Sequence, residues 1–153
     1  MIFSESDYRF MYQALQEAQH AFDEEEVPVG AVVVRDNKII GRGYNQNLRL
    51  NDPTAHAEMI AITAAANHLN SSRLDGCTLY STLEPCLMCA GAILHARLEK
   101  VIFAAFDPKF GCCGSIHNHL EDGKFNHTIK VFSGLMENES RYFLRNFFQK
   151  LRN

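Results

Sequence analysis

An α/β sandwich, with a central five-stranded mixed sheet flanked by helices, is the fold the sequence predicts. Three observations predict it. Short β-branched runs alternate with longer stretches of helical period. A charged turn, Arg35-Asp36-Asn37-Lys38, joins the first two runs into a hairpin. The elements follow the order α-β-β-α-β-α-β-β-α, which belongs to an α/β architecture. The 153 residues suit a single domain, 1–153, with a real core. No internal repeat, linker or low-complexity tract interrupts them.

Ser4 or Ser6 caps a first helix, with Asp7 in its first turn. Tyr8, Met11, Leu15, Ala18 and Phe22 recur at helical spacing and form the expected buried stripe. The acidic run Asp23-Glu24-Glu25-Glu26 opposes the dipole at the helix end and is expected to face solvent. Residues 27–34 read as a strand, with Pro28 at its start where a lost N–H is tolerated. Residues 39–45 return, and 46–52 form a polar loop.

Thr54 is the expected cap of a second helix, which ends near Asn67–Asn70. Residues 77–82 form a third strand. Glu84 and Pro85 end it and open a third helix from Cys86 to about His95, since Pro suits a first turn. A fourth strand covers 100–105, a fifth 128–132, and a closing helix 137–151. The loop between them, 106–127, is long enough to suggest function.

Bulk properties narrow the setting. With 46% apolar and 22% charged residues, the composition is that of a soluble globular protein. No apolar run approaches the roughly 20 residues of a membrane helix. The first residues lack the basic flank and apolar centre of a signal peptide, so a cytoplasmic location is expected. Five cysteines, two of them in C-x-x-C, favour metal chemistry over a disulfide framework. The net charge is −3, but residues 1–26 hold seven acids and one base, which leaves +3 on residues 27–153. The last thirteen residues carry Arg141, Arg145, Lys150 and Arg152 and no acid. That run reads either as a phosphate-binding surface or as a solvated helix end.

The chemistry sits in two stretches. Asp52-Pro53-Thr54-Ala55-His56-Ala57-Glu58 contains H-x-E, and Glu84-Pro85-Cys86-Leu87-Met88-Cys89 contains P-C-x-x-C. His56, Cys86 and Cys89 supply three zinc ligands and leave the fourth tetrahedral position to water, as in a catalytic site. Cys86 and Cys89 share a face at a helix start, where the dipole favours thiolate. Glu58 is left over as a proton shuttle. His56 and Glu58 are two apart, so both face the metal only if the motif lies at the helix entry. Glu84 is expected to orient the helix start by accepting backbone N–H groups. Asn45 reads equally as a base-contacting amide and as a turn residue.

The spacing resembles the signature of zinc-dependent nucleobase deaminases. Nearly the whole chain resembles bacterial tRNA-specific adenosine deaminases. The resemblance is carried by Glu26-Val27-Pro28-Val29-Gly30-Ala31, Gly43-Tyr44-Asn45, the two motif stretches, Asp107-Pro108-Lys109-Phe110-Gly111, Gly114-Ser115 and Asn126-His127. It implies a cytidine-deaminase-like fold, a homodimer, one Zn²⁺ per subunit, and conversion of the wobble adenosine to inosine, with an arginine tRNA as substrate. It assigns zinc to His56, Cys86 and Cys89 and the proton shuttle to Glu58. Asn45 and the Ala57 backbone then contact the flipped base, and Asp107 and Lys109 border the anticodon nucleotides. The closing helix, with Phe147, Phe148, Lys150 and Arg152, lies along the RNA. Its aromatics either stack on bases or enter the core, as expected for at least one of them.

Two other readings compete with this one. A guanine deaminase shares D-P-T-A-H-A-E but is expected to differ around Val27 to Gly30 and at Thr82-Leu83. A catalytically dead zinc-folded RNA-binding module is opposed by Glu58 beside a three-ligand site.

Overall fold

The computed structural model describes residues 2–152. Ten elements follow in order: α1 (Glu5–Asp23), β1 (Gly30–Arg35), β2 (Lys38–Tyr44), α2 (Asn47–Leu50), α3 (Ala57–Leu69), β3 (Thr78–Leu83), α4 (Leu87–Ala96), β4 (Lys100–Ala105), β5 (Lys130–Ser133) and α5 (Glu137–Arg152). One sheet runs β2-β1-β3-β4-β5. β1 is antiparallel to both β2 and β3, whereas β3, β4 and β5 are parallel. The sheet is therefore mixed.

Strand alternation divides the core into two layers. Ala31, Val33, Leu79, Val101 and Phe103 pack with Ala61 and Ala65 of α3 and Ile93 of α4. The intervening Val32, Val34, Tyr80, Ile102 and Ala104 pack with Phe10, Met11 and Ala14 of α1. Helices thus cover both faces, and the sandwich expected from sequence is the observed one.

The first helix starts as expected. Ser4 caps it in a capping box with Asp7, whose carboxylate also accepts from Tyr80 Oη at 2.6 Å. The stripe is correct except at its ends, where Tyr8 is 43% exposed and Phe22 only half-buried. Asp36 and Asn37 both take positive φ, the backbone of a two-residue hairpin turn. No helix among the described residues is long and apolar enough to cross a membrane.

Several expectations need correction. Glu26 does not face solvent. It is buried and accepts the backbone N–H groups of Leu48 at 3.1 Å and Arg49 at 2.7 Å. The stretch expected as a plain polar loop holds α2, and Glu26 serves the donors at its start. Thr54 is not a helix cap, because its N–H and hydroxyl both go to Asp52 Oδ1. His56 takes the cap position instead. The first strand begins at Gly30, after Val29 N–H turns back to Val27 O, and the fifth strand is displaced to Lys130–Ser133. In α5, Phe147 is buried against Phe22, while Phe148 and Leu151 stay exposed.

Candidate metal centre and its surroundings

Two helix starts meet at the site. His56 is the N-cap of α3, with φ −77° and ψ 153°. Cys86 is the N-cap of α4, with φ −79° and ψ −179°. Both caps are extended backbone, so their side chains leave the helix axis before the 3.6-residue period begins. Glu58 lies in the first turn of α3. That resolves the two-residue spacing of His56 and Glu58, since the pair straddles the helix entry.

Close packing holds these helix starts against the sheet. Gly43, on β2, approaches α3 so closely that a Cβ there would lie 2.4 Å from Ala57 O. Gly30 N–H, at the start of β1, donates to Thr82 Oγ1 at 3.0 Å, near the end of β3. β3 then leads through Glu84 and Pro85 into Cys86.

His56 Nδ1 lies 3.6 Å from Cys86 Sγ and 3.5 Å from Cys89 Sγ. The three ligand atoms lie within 4.8 Å of one another. Zinc bonds of about 2.3 Å to sulfur and about 2.0 Å to nitrogen at a tetrahedral angle give an N···S edge of roughly 3.6 Å. The two His56–cysteine edges match those of a zinc tetrahedron and the third stays within 4.8 Å, so the donor set fits zinc in type and spacing. Cys89 is buried, and His56 and Cys86 are half-buried.

The electrostatics point the same way. Cys89's hydrogen bond to Cys86, helped by His56 and against the cost of burial, pulls the Cys86 thiol down to about 4. Cys89 is pushed far up, first by the same contact with Cys86 and then by burial and Glu58. The protein's own groups thus stabilise one thiolate. A second thiolate beside it, with the Glu58 carboxylate near, calls for a cation. Glu58 is 4% exposed, and burial pushes its carboxyl up to about 7, opposed by its backbone hydrogen bond and by His56.

The other expected site residues divide. Asn45, directly after β2, is 8% exposed, and its Oδ1 has no partner. Its N–H donates to Val29 O, and the next N–H, of Gln46, donates to Ala55 O. Asn45 therefore lies beside the strand-like entry to His56, carrying an acceptor that the protein itself leaves open. Ala57 is buried as the first residue of α3. Asp107 uses Oδ1 to accept from the N–H groups of Lys109 and Phe110, so it shapes its own turn. Lys109 and Phe110 are exposed. Phe148, 46% exposed, lies in the last turns of α5. Those turns pack on Phe22 at the end of α1, and Phe148 makes no contact with the triad among the contacts described.

Glu84 corrects the sequence reading. It accepts backbone N–H groups, but those of Asp107, Cys113 and Ser115 rather than of the helix start. Helix α4 begins beyond it, and Cys86 is the cap. Glu26, which holds α2 ahead of the His56 stretch, was missed. Its place in an acidic run argued for solvent, although it also opens the Glu26-Val27-Pro28-Val29-Gly30-Ala31 stretch that carries the family resemblance.

Comparison with known proteins follows the same lines. Residues 4–105 match the cytidine and deoxycytidylate deaminase zinc-binding region. The tRNA-specific adenosine deaminase of Bacillus subtilis is 47% identical over 146 residues, which is 95% of this chain and 91% of that protein. A solved tRNA:A34 deaminase, studied for A-to-I editing at the wobble position of transfer RNA, superposes with a TM-score of 0.85. It is 45% identical and covers 89% of this chain and 99% of its own. A guanine deaminase from Nitrosomonas europaea shares the fold, with a TM-score of 0.79 at 22% identity, covering 96% of this chain and 86% of its own.

Proposed function

The chain belongs to the tRNA-specific adenosine deaminases, within the cytidine and deoxycytidylate deaminase zinc-binding family, and from that premise we propose that it deaminates the wobble adenosine of a tRNA anticodon. Adenosine and water give inosine and ammonia, through cleavage of the exocyclic C–N bond. The observation that carries this reading is the three-ligand triangle at two helix starts, with a buried carboxylate beside it.

His56, Cys86 and Cys89 hold the zinc. When bound, zinc supplies the Lewis acidity that makes a water nucleophilic near pH 7, at a pKa of about 7 in favourable sites. Glu58 takes the water proton on its carboxylate, delivers it to the ring nitrogen next to the amine, and later protonates the departing nitrogen. Burial suits it for that work, because it raises the carboxyl to about 7, where a proton is both taken up and given back. The open Oδ1 of Asn45 accepts from the flipped base, and the Ala57 main chain completes the contact. Outside the pocket, Lys109 and Asp107 border the anticodon, and Phe148, Lys150 and Arg152 follow the RNA. Single alanine substitutions at Asn45, Lys109 and Phe148 are expected to raise the stem-loop KM; unchanged values would remove those contacts.

A homodimer in the cytoplasm, acting on an arginine tRNA, completes the proposal. What supports the dimer is a hollow of about 320 Å³ beside α4, lined by apolar Leu87, Leu94 and Phe125 and by polar residues that include His95, Arg97 and His119. Sedimentation at micromolar concentration is expected to give twice the chain mass; a monomer would dismiss it.

The deciding experiment incubates the zinc protein with an arginine tRNA anticodon stem-loop and, separately, with free guanine. Inosine in the stem-loop is the expected product. Ammonia from guanine alone would overturn the assignment.

A further inference from the structure

We propose that Glu84 is a positioning residue: its buried carboxylate locks the 107–115 loop onto the zinc-cysteine segment and thereby sets affinity for the nucleotides around the target base. The second half of that statement rests on the functional reading above.

Glu84 is 2% exposed and directly precedes Pro85 and Cys86. Both of its oxygens are fully engaged. Oε1 accepts the Asp107 N–H at 2.9 Å and the Ser115 hydroxyl. Oε2 accepts the N–H groups of Cys113 at 3.1 Å and Ser115 at 2.8 Å. No Lys, Arg or His forms an ion pair with it among the described residues. A buried carboxylate is costly without donors, and here every donor comes from one loop far along the chain. The loop and the carboxylate therefore need each other.

Two further contacts tie the same pieces together. Cys112 N–H donates to Pro85 O at 2.9 Å, and Gly111 bridges to Cys86. The approach is so close that a Cβ on Gly111 would lie 2.2 Å from the Glu84 carboxyl carbon. Only glycine lets the loop lie this near. The inner side of the loop is thus fastened to the residue beside a metal ligand. Its turn carries Lys109, exposed, and Phe110, 68% exposed. Asp107 is spent on the turn itself, accepting from both of their N–H groups. Glu84 touches no substrate in this arrangement. It fixes where a cation and an aromatic ring stand relative to the metal.

The test is Glu84→Gln in the full-length zinc protein. Glutamine keeps the shape but turns an amide NH₂ toward N–H donors. Zinc is expected to remain at one per chain. Amide exchange should rise at Asp107, Cys113 and Ser115 and stay unchanged at Ala90, whose N–H bonds Cys86 O at 2.8 Å. The stem-loop KM should rise roughly tenfold or more while kcat stays within about threefold. Ser115→Ala, which removes only the hydroxyl donor, should raise KM by less and leave zinc intact. An unchanged KM or unchanged exchange in Glu84→Gln would overturn the proposal. So would a fall in kcat with loss of zinc, which would make Glu84 a support of the metal site. Failure of the wild-type protein on the stem-loop would instead fault the functional reading, and the exchange measurement would still decide whether Glu84 holds the loop.

Discussion

At the scale of single residues, backbone position distinguishes the proposed ligands His56 and Cys86 from the proposed proton shuttle Glu58. His56 and Cys86 stand at helix caps, where the backbone is still extended, while Cys89 and Glu58 lie inside the first turns of α4 and α3, out of water. Glu58→Gln is expected to retain zinc and lose roughly 10²–10⁴ in kcat. Zinc content and single-turnover rates measured on one preparation check this, and an active variant would remove Glu58 as the shuttle. Ligand types and spacing were legible in the sequence because metal chemistry restricts them to His and Cys in short patterns. The orphan Oδ1 of Asn45 was not legible, since a turn asparagine and a base reader share the same letter.

Among the elements, the smallest is the most instructive. α2 has four residues and no side-chain cap of its own. It is held from outside by Glu26, which accepts two N–H groups at its start, and by Glu24 with Tyr44 and Arg49. That attachment fixes the path of the stretch leading to His56. Glu26→Ala removes the acceptor of two part-buried N–H groups and is expected to cost about 1 kcal/mol of folding stability. Urea unfolding of the zinc-loaded protein measures it; a loss near zero would mean water replaces the carboxylate. Periodicity located the long helices and the strands, because burial of a face leaves a repeating pattern. It did not locate α2 or the true cap of α3. Those depend on which of several polar side chains wins a given N–H. Asp52 takes the Thr54 donors, and His56 becomes the cap by default.

For the whole molecule, a metal held by this triad would serve the fold as well as the reaction. The proposed ligands come from the starts of α3 and α4, on the same side of the sheet, so zinc held there would tie two helix starts that otherwise meet through small side chains. Stripping the metal with a chelator is expected to lower the melting temperature and restore it on readdition. With zinc at a thousandfold over its dissociation constant, the linkage amounts to about 4 kcal/mol. An unchanged melting temperature would show that the triad is preorganised without help from the ion.

The sequence by itself determined the layer architecture and the deaminase resemblance, and it singled out the residues proposed as ligands and proton shuttle. These follow from local pattern: alternation of two, periods near four, and residue types that few chemistries share. Only the tertiary structure decided where the buried carboxylates go. Glu26 and Glu84 read as an acid in a charged run and an acid before a proline. Each is engaged by backbone donors that lie tens of residues away. Main-chain N–H groups carry no letter of their own, so the partner of such a carboxylate becomes visible only once the chain has folded around it.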